Sequence, residues 1–134
     1  MLKHLTILIL SSCLLLSLSA CREQSTDTAD LDIQLALQPD PAILGESTLF
    51  ITVYDKNQQP VTDATVSARG DMSHAGMQPV TATTAKNQQG LYELPFEWTM
   101  AGDWFVEIQV NLPDGRSSSK TFPFTVALEA NESS

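Results

Sequence analysis

The stretch Tyr92-Glu93-Leu94-Pro95-Phe96-Glu97-Trp98 decides the fold class. Large apolar side chains occupy every second position, and Glu93, Pro95 and Glu97 fill the gaps. In an extended chain successive side chains point to opposite faces, so this pattern predicts a strand with one apolar and one solvated face. Pro95 has no N–H for a ladder, which predicts an edge strand or a bulge over Leu91 to Trp98. Glu93 and Glu97 then share the outward face, a solvated pair rather than an acid/base pair.

Working outward, the same period of two recurs. Trp104, Val106, Ile108 and Val110 repeat it downstream, and Phe122, Phe124, Val126 and Leu128 close the series. Upstream lie Leu31, Ile33, Leu35 and Leu37, a strand stopped by Pro39 and Pro41. Leu49, Ile51 and Val53 alternate with Phe50, Thr52 and Tyr54. Ala64 to Arg69 and the Thr-rich Val80 to Ala85 are short strands. Turn chemistry separates them: Asp55 to Pro60, Asn87-Gln88-Gln89-Gly90 and Pro113-Asp114-Gly115. Ser117-Ser118-Ser119 is a low-complexity run. About seven strands without a helical pattern predict an all-β immunoglobulin-like sandwich, with a small Greek-key barrel as the alternative.

The first residues must be set aside before fold reasoning. Lys3 and His4 form a basic n-region, and Leu5 to Leu16 is an apolar run too short to span a bilayer comfortably. Leu18-Ser19-Ala20-Cys21 follows, and it resembles the lipobox of bacterial lipoproteins. Residues 1–20 are thus expected to be a signal peptide and Cys21 the lipidated N-terminus. Residues 21–30 are expected to be a flexible polar tether, 31–128 the domain and 129–134 a frayed tail. Residue 22 is Arg, not Asp, which resembles an outer-membrane rather than an inner-membrane sorting signal. Cys13 leaves with the leader, so the mature domain has no cysteine for a disulfide, a thiolate metal site or a nucleophile.

The chain has 134 residues and a formal charge of −9; loss of Lys3 takes it to −10. An excess of scattered carboxylates argues against nucleic acid as a partner and against adhesion to anionic headgroups. Catalytic signals are missing: no nucleophile elbow, no second mature histidine, no phosphate loop. The expectation is a non-enzyme.

One segment stands apart, Gly70-Asp71-Met72-Ser73-His74-Ala75-Gly76-Met77-Gln78-Pro79. It is expected to be a loop. It holds two of the three methionines left after the leader and the one mature histidine. Thioether and imidazole suit Cu(I) where thiolate is absent. Met72 and His74 lie two apart, on one side of an extended backbone. Gly76 permits a reversal that swings Met77 toward them. Met100, in Thr99-Met100-Ala101-Gly102, approaches if the two loops share one end of the sandwich. The plain reading stands beside this one: such methionines plug the open end of a sandwich, and a lone histidine is a surface residue.

Four segments together resemble the YtkA-like/FixH-like domain family. They are Pro60-Val61-Thr62-Asp63-Ala64-Thr65-Val66, Met72 to Met77, Gly90-Leu91-Tyr92 and Met100-Ala101-Gly102-Asp103-Trp104. The resemblance runs from Ala36 to Val126. It implies an immunoglobulin-like sandwich facing the periplasm or the cell exterior, in proteins linked with copper handling and haem-copper oxidase assembly. It also implies Met72, His74 and Met77 as copper ligands, with Met100 on the second Met position. Two functions follow as expectations: a membrane-anchored copper-binding or copper-delivery module, held beside a membrane acceptor or exporter; or a metal-free assembly module of an oxidase or efflux complex, docking through the Leu91 to Trp98 edge.

Overall fold

The computed structural model describes residues 28–74 and 76–129. The leader, Cys21, the tether up to residue 27 and residues 130–134 lie outside the described residues. Eight strands follow one another: β1 (Leu31–Gln38), β2 (Gly45–Asp55), β3 (Thr65–Met72), β4 (Val80–Thr84), β5 (Asn87–Gln88), β6 (Leu91–Trp98), β7 (Gly102–Asn111) and β8 (Ser117–Val126). They form two four-stranded sheets, β1-β2-β6-β5 and β4-β3-β7-β8, with every neighbouring pair antiparallel. The chain alternates between sheets two strands at a time. This is the expected sandwich of two separate sheets, and no helix occurs among the described residues.

The period-two reading holds where it was sharpest. Tyr92, Leu94, Phe96 and Trp98 are buried, as are Trp104, Val106, Ile108 and Val110, while Glu93, Pro95 and Glu97 are exposed. On β1, Ile33 and Leu37 are buried, and Leu31 and Leu35 pack against the core from its margin. Each fully buried aliphatic or aromatic side chain contributes about 1.5–3 kcal/mol. Trp98 sits at the centre of an aromatic cluster. Its ring lies 4.9 Å from Phe96, 5.3 Å from Trp104 and 5.6 Å from Phe124, centroid to centroid. Edge-on and tilted contacts of this kind add about 0.5–1.5 kcal/mol each beyond burial.

Four expectations are corrected. Asn87-Gln88, read as turn, forms the short strand β5 against Tyr92 and Leu91. β8 begins at Ser117, because Ser117, Ser118 and Ser119 pair through their backbones with Asn111, Val110 and Gln109. Ladder bonds need no apolar side chain, so hydropathy did not mark them. The tether was expected to reach Asp30, yet Thr28 bridges to Ser117 and the buried Ala29 donates its N–H to the Ser117 carbonyl at 2.7 Å. Leu128 was placed on the inner face of the last strand. β8 instead ends at Val126, the chain bends to bridge Ala127 with Ile43, and Leu128 is 71% exposed.

β6 is the edge its proline predicted over most of its length. β5 pairs only with Leu91 and Tyr92, and among the described residues no strand is hydrogen-bonded to the rest of that margin, although β4 of the other sheet packs close to β6. On the opposite side of the sandwich, the Lys120 ammonium of β8 donates to the Ile33 carbonyl of β1 at 2.9 Å and joins the two sheets.

Candidate functional site

Antiparallel pairing sorts the connections onto two ends. One end carries residues 39–44, 73–74, 76–79 and 99–101 and the exit of β8. The other carries residues 56–64, the β7–β8 turn and the entry of the chain at Thr28. All the candidate ligands therefore belong to one end, as the copper reading required of Met100.

Within that end their positions differ. Met72 is not a loop residue: it closes β3, pairs in register with Trp104 and is 6% exposed in the core cluster. Alternation along β3 puts Met72 on the same inward face as Val66, Ala68 and Gly70. His74 lies beyond the strand and is exposed; Met77 is half-buried against the core margin; Met100 is 46% exposed. The strand relationship that put Met72 and His74 on one side does not extend past Met72. Between them the chain leaves β3 and bends.

Met72 nonetheless reaches the Met100 loop from below. A Cβ added at Gly102 would meet Met72 Cε at 2.9 Å. The Trp104 indole N–H donates to the Met100 carbonyl at 2.9 Å and holds that loop over the aromatic cluster. Trp98 Nε1 is buried there without a hydrogen-bond partner among the described residues. The ring itself packs edge-on against Trp104 and tilted against Phe124.

The other two segments singled out in the sequence also meet, at the opposite end. The buried Tyr92 hydroxyl donates to the Val61 carbonyl at 2.8 Å and accepts from the Ala64 N–H at 3.2 Å. Asn87 Nδ2 donates to the Thr62 carbonyl at 2.7 Å, and Gly90 stands against Pro60, whose Cβ would lie 2.7 Å from an added Cβ. Burial raises the Tyr92 pKa, the Ala64 hydrogen bond opposes this, and the Asp63 charge adds to it. The four segments are thus two interlocked pairs, one at each end of the sandwich.

The YtkA-like family model matches residues 26–109, a span that includes all four segments. The chain belongs to the YtkA-like family. A search of curated proteins found no match to its sequence. Among solved structures, the Lin-41 filamin domain is similar at a TM-score of 0.55 and 16% identity, covering 78% of this chain and all of that domain. The PKD1 domain of Epp from Vibrio anguillarum gives a TM-score of 0.42 at 16% identity, over 77% of this chain and all of that one. MtrC from Shewanella baltica OS185 gives 0.41 at 19%, over 78% of this chain and 23% of that one. The filamin likeness agrees with an immunoglobulin-like arrangement for this YtkA-like chain and speaks to fold alone.

Among the described residues no three His, Cys, Asp or Glu side chains converge on one point; thioethers are outside that set. An open cleft of about 740 Å³ lies at the far end, where Thr28 enters, lined by Asp30, Asp55, Asp63 and Arg116 among others. It is remote from the methionines. Sequence reading missed Leu44, which is 40% exposed at the methionine end and donates its N–H to the Ala127 carbonyl. The signal was an apolar residue between Pro39-Asp40-Pro41 and Gly45 with no strand to bury it.

Proposed function

We propose that this YtkA-like chain is a non-enzymatic module of the cell envelope that binds copper(I) and hands it to a partner protein. The observation that carries the reading is the gathering of thioethers and the imidazole at one end of the sandwich. His74, Met77 and Met100 are the outer ligands, and Met72 forms the floor beneath the Met100 loop. Soft thioethers and a neutral imidazole match Cu(I), and a two- or three-ligand set leaves a face open for exchange. Lipidation at Cys21 would hold the domain to a membrane, with the periplasm or the cell exterior around it.

Competition against a chromophoric Cu(I) chelator tests this. One equivalent should be taken up, and Met77→Leu with Met100→Leu should abolish it. Trp104 donates to the Met100 carbonyl, so indole fluorescence should respond to loading as well. Unchanged uptake in the double variant sinks the ligand assignment.

A metal-free docking module is the second reading, favoured by the burial of Met72 and by the ladder positions of β6 beyond Tyr92 that β5 leaves unpaired. Pro95 and the outward Glu93 and Glu97 weaken that margin as a docking edge, since prolines and charges discourage strand addition. A partner pulled down equally with and without copper chelation would favour it.

A further inference from the structure

We infer that the methionine end of the sandwich is a docking face for a protein patch that is apolar at its centre and basic around its rim. The inference deepens the delivery reading and rests on it for the purpose of the contact, though its geometry needs no metal. Four large hydrophobic side chains are exposed among the described residues: Leu44, Met100, Phe105 and Leu128. Three occupy the connections at this one end. The segments that carry Leu44 and Leu128 are joined through their backbones: the Leu44 N–H donates to the Ala127 carbonyl at 2.8 Å and the Ala127 N–H donates to the Ala42 carbonyl at 3.0 Å. Phe105 lies on the adjoining outer face, in register with Asp71 and Pro123. Single exposed apolar residues need no explanation, whereas a cluster on one face marks an interaction site.

Charge selects the occupant. Asp40, Glu46, Glu97, Asp103 and Glu129 are exposed around this end. Lys56, Lys86 and Arg116 belong to the other end of the sandwich. Arg69 is paired with Asp71 at 3.2 Å, and Lys120 is engaged midway along β8 with the Ile33 carbonyl and the Phe122 ring. Among the described residues the rim is therefore acidic without compensation. A second copy or an anionic bilayer would bring like charges together, whereas a Lys/Arg-rimmed protein surface is complementary. The face also points away from the entry of the chain. Thr28 bridges to Ser117, at the start of β8, and the ten residues of β8 put about 30 Å between the two ends at roughly 3.3 Å per residue.

The test uses the full-length chain and two labelled synthetic amphipathic peptides, one of Leu and Lys and its Leu/Glu counterpart. The Leu/Lys peptide should bind, more weakly as salt rises, and the Leu/Glu peptide should not. Leu44→Ser with Leu128→Ser should weaken binding about tenfold, as expected for central anchors. Glu46→Gln with Glu97→Gln should weaken it severalfold, and Asp32→Asn with Asp63→Asn, which remove equal charge at the far end, should not. Equal loss from the distal pair, equal binding of the Leu/Glu peptide, or leucine-dependent dimerisation or vesicle binding would overturn the proposal. Copper uptake by the Leu44/Leu128 variant should match the parent, so failure of docking and failure of the copper site are read separately.

Discussion

Met72 and Gly102 are fitted so closely that a side chain on Gly102 would begin 2.9 Å from the Met72 methyl. Gly102 also adopts φ +125°, a conformation in which L side chains are strained. Gly102→Ala should therefore cost about 1–3 kcal/mol in urea unfolding. Met72→Ala should cost about 2–5 kcal/mol through the cavity it leaves, and Met72→Leu less than about 1.5 kcal/mol. If Met72→Leu also retains copper uptake, the Met72 thioether serves packing and the outer ligands carry the metal.

Gly70 makes room for Phe96. A Cβ there would stand 2.5 Å from Phe96 Cζ and 3.2 Å from Trp104 Cε3. Gly70→Ala should destabilise by about 1–3 kcal/mol through overpacking. Adding Phe96→Leu should recover part of that loss, seen as a coupling in a double-mutant cycle. Additive effects would show that the aromatic cluster shifts freely.

Tyr92 ties β6 to the β2–β3 connection, and Tyr92→Phe leaves the Val61 carbonyl and the Ala64 N–H without that partner. A loss of about 1–3 kcal/mol is expected. The folded pKa lies above the ordinary 10.0, chiefly through burial. Below pH 10 both folded and unfolded chains keep the phenol protonated. Above it the unfolded chain ionises first, so stability falls as pH rises from 10 toward the folded value. Thermal unfolding across this range should show a steeper alkaline decline in the parent than in Tyr92→Phe.

Glu46 and Glu97 are direct partners across β2 and β6, both exposed. Like charges so placed are destabilising, so Glu97→Lys should stabilise by about 0.2–1 kcal/mol. The gain should shrink in high salt; a gain independent of salt would point to strand propensity instead.

The inner faces of β2, β6 and β7 were legible because burial there depends on alternation within one strand, and Tyr92 to Trp98 and Trp104 to Val110 alternate without interruption. β5 and the start of β8 were not, since Asn87, Gln88 and Ser117 to Ser119 are held by ladder bonds whose partners lie elsewhere in the chain. The candidate site was half legible. Its residue types and its two loops were visible, but not which methionine turns inward.

The amino-acid sequence alone determined the sandwich class, the family and the chemistry on offer, because side-chain period and residue type are local properties. Tertiary structure decided that Met72 packs under Gly102 while Met100 stays exposed, and that the methionine end lies opposite the entry at Thr28. Those outcomes depend on strand register and on where β3 and β8 stop, which are set by contacts between segments distant in the chain.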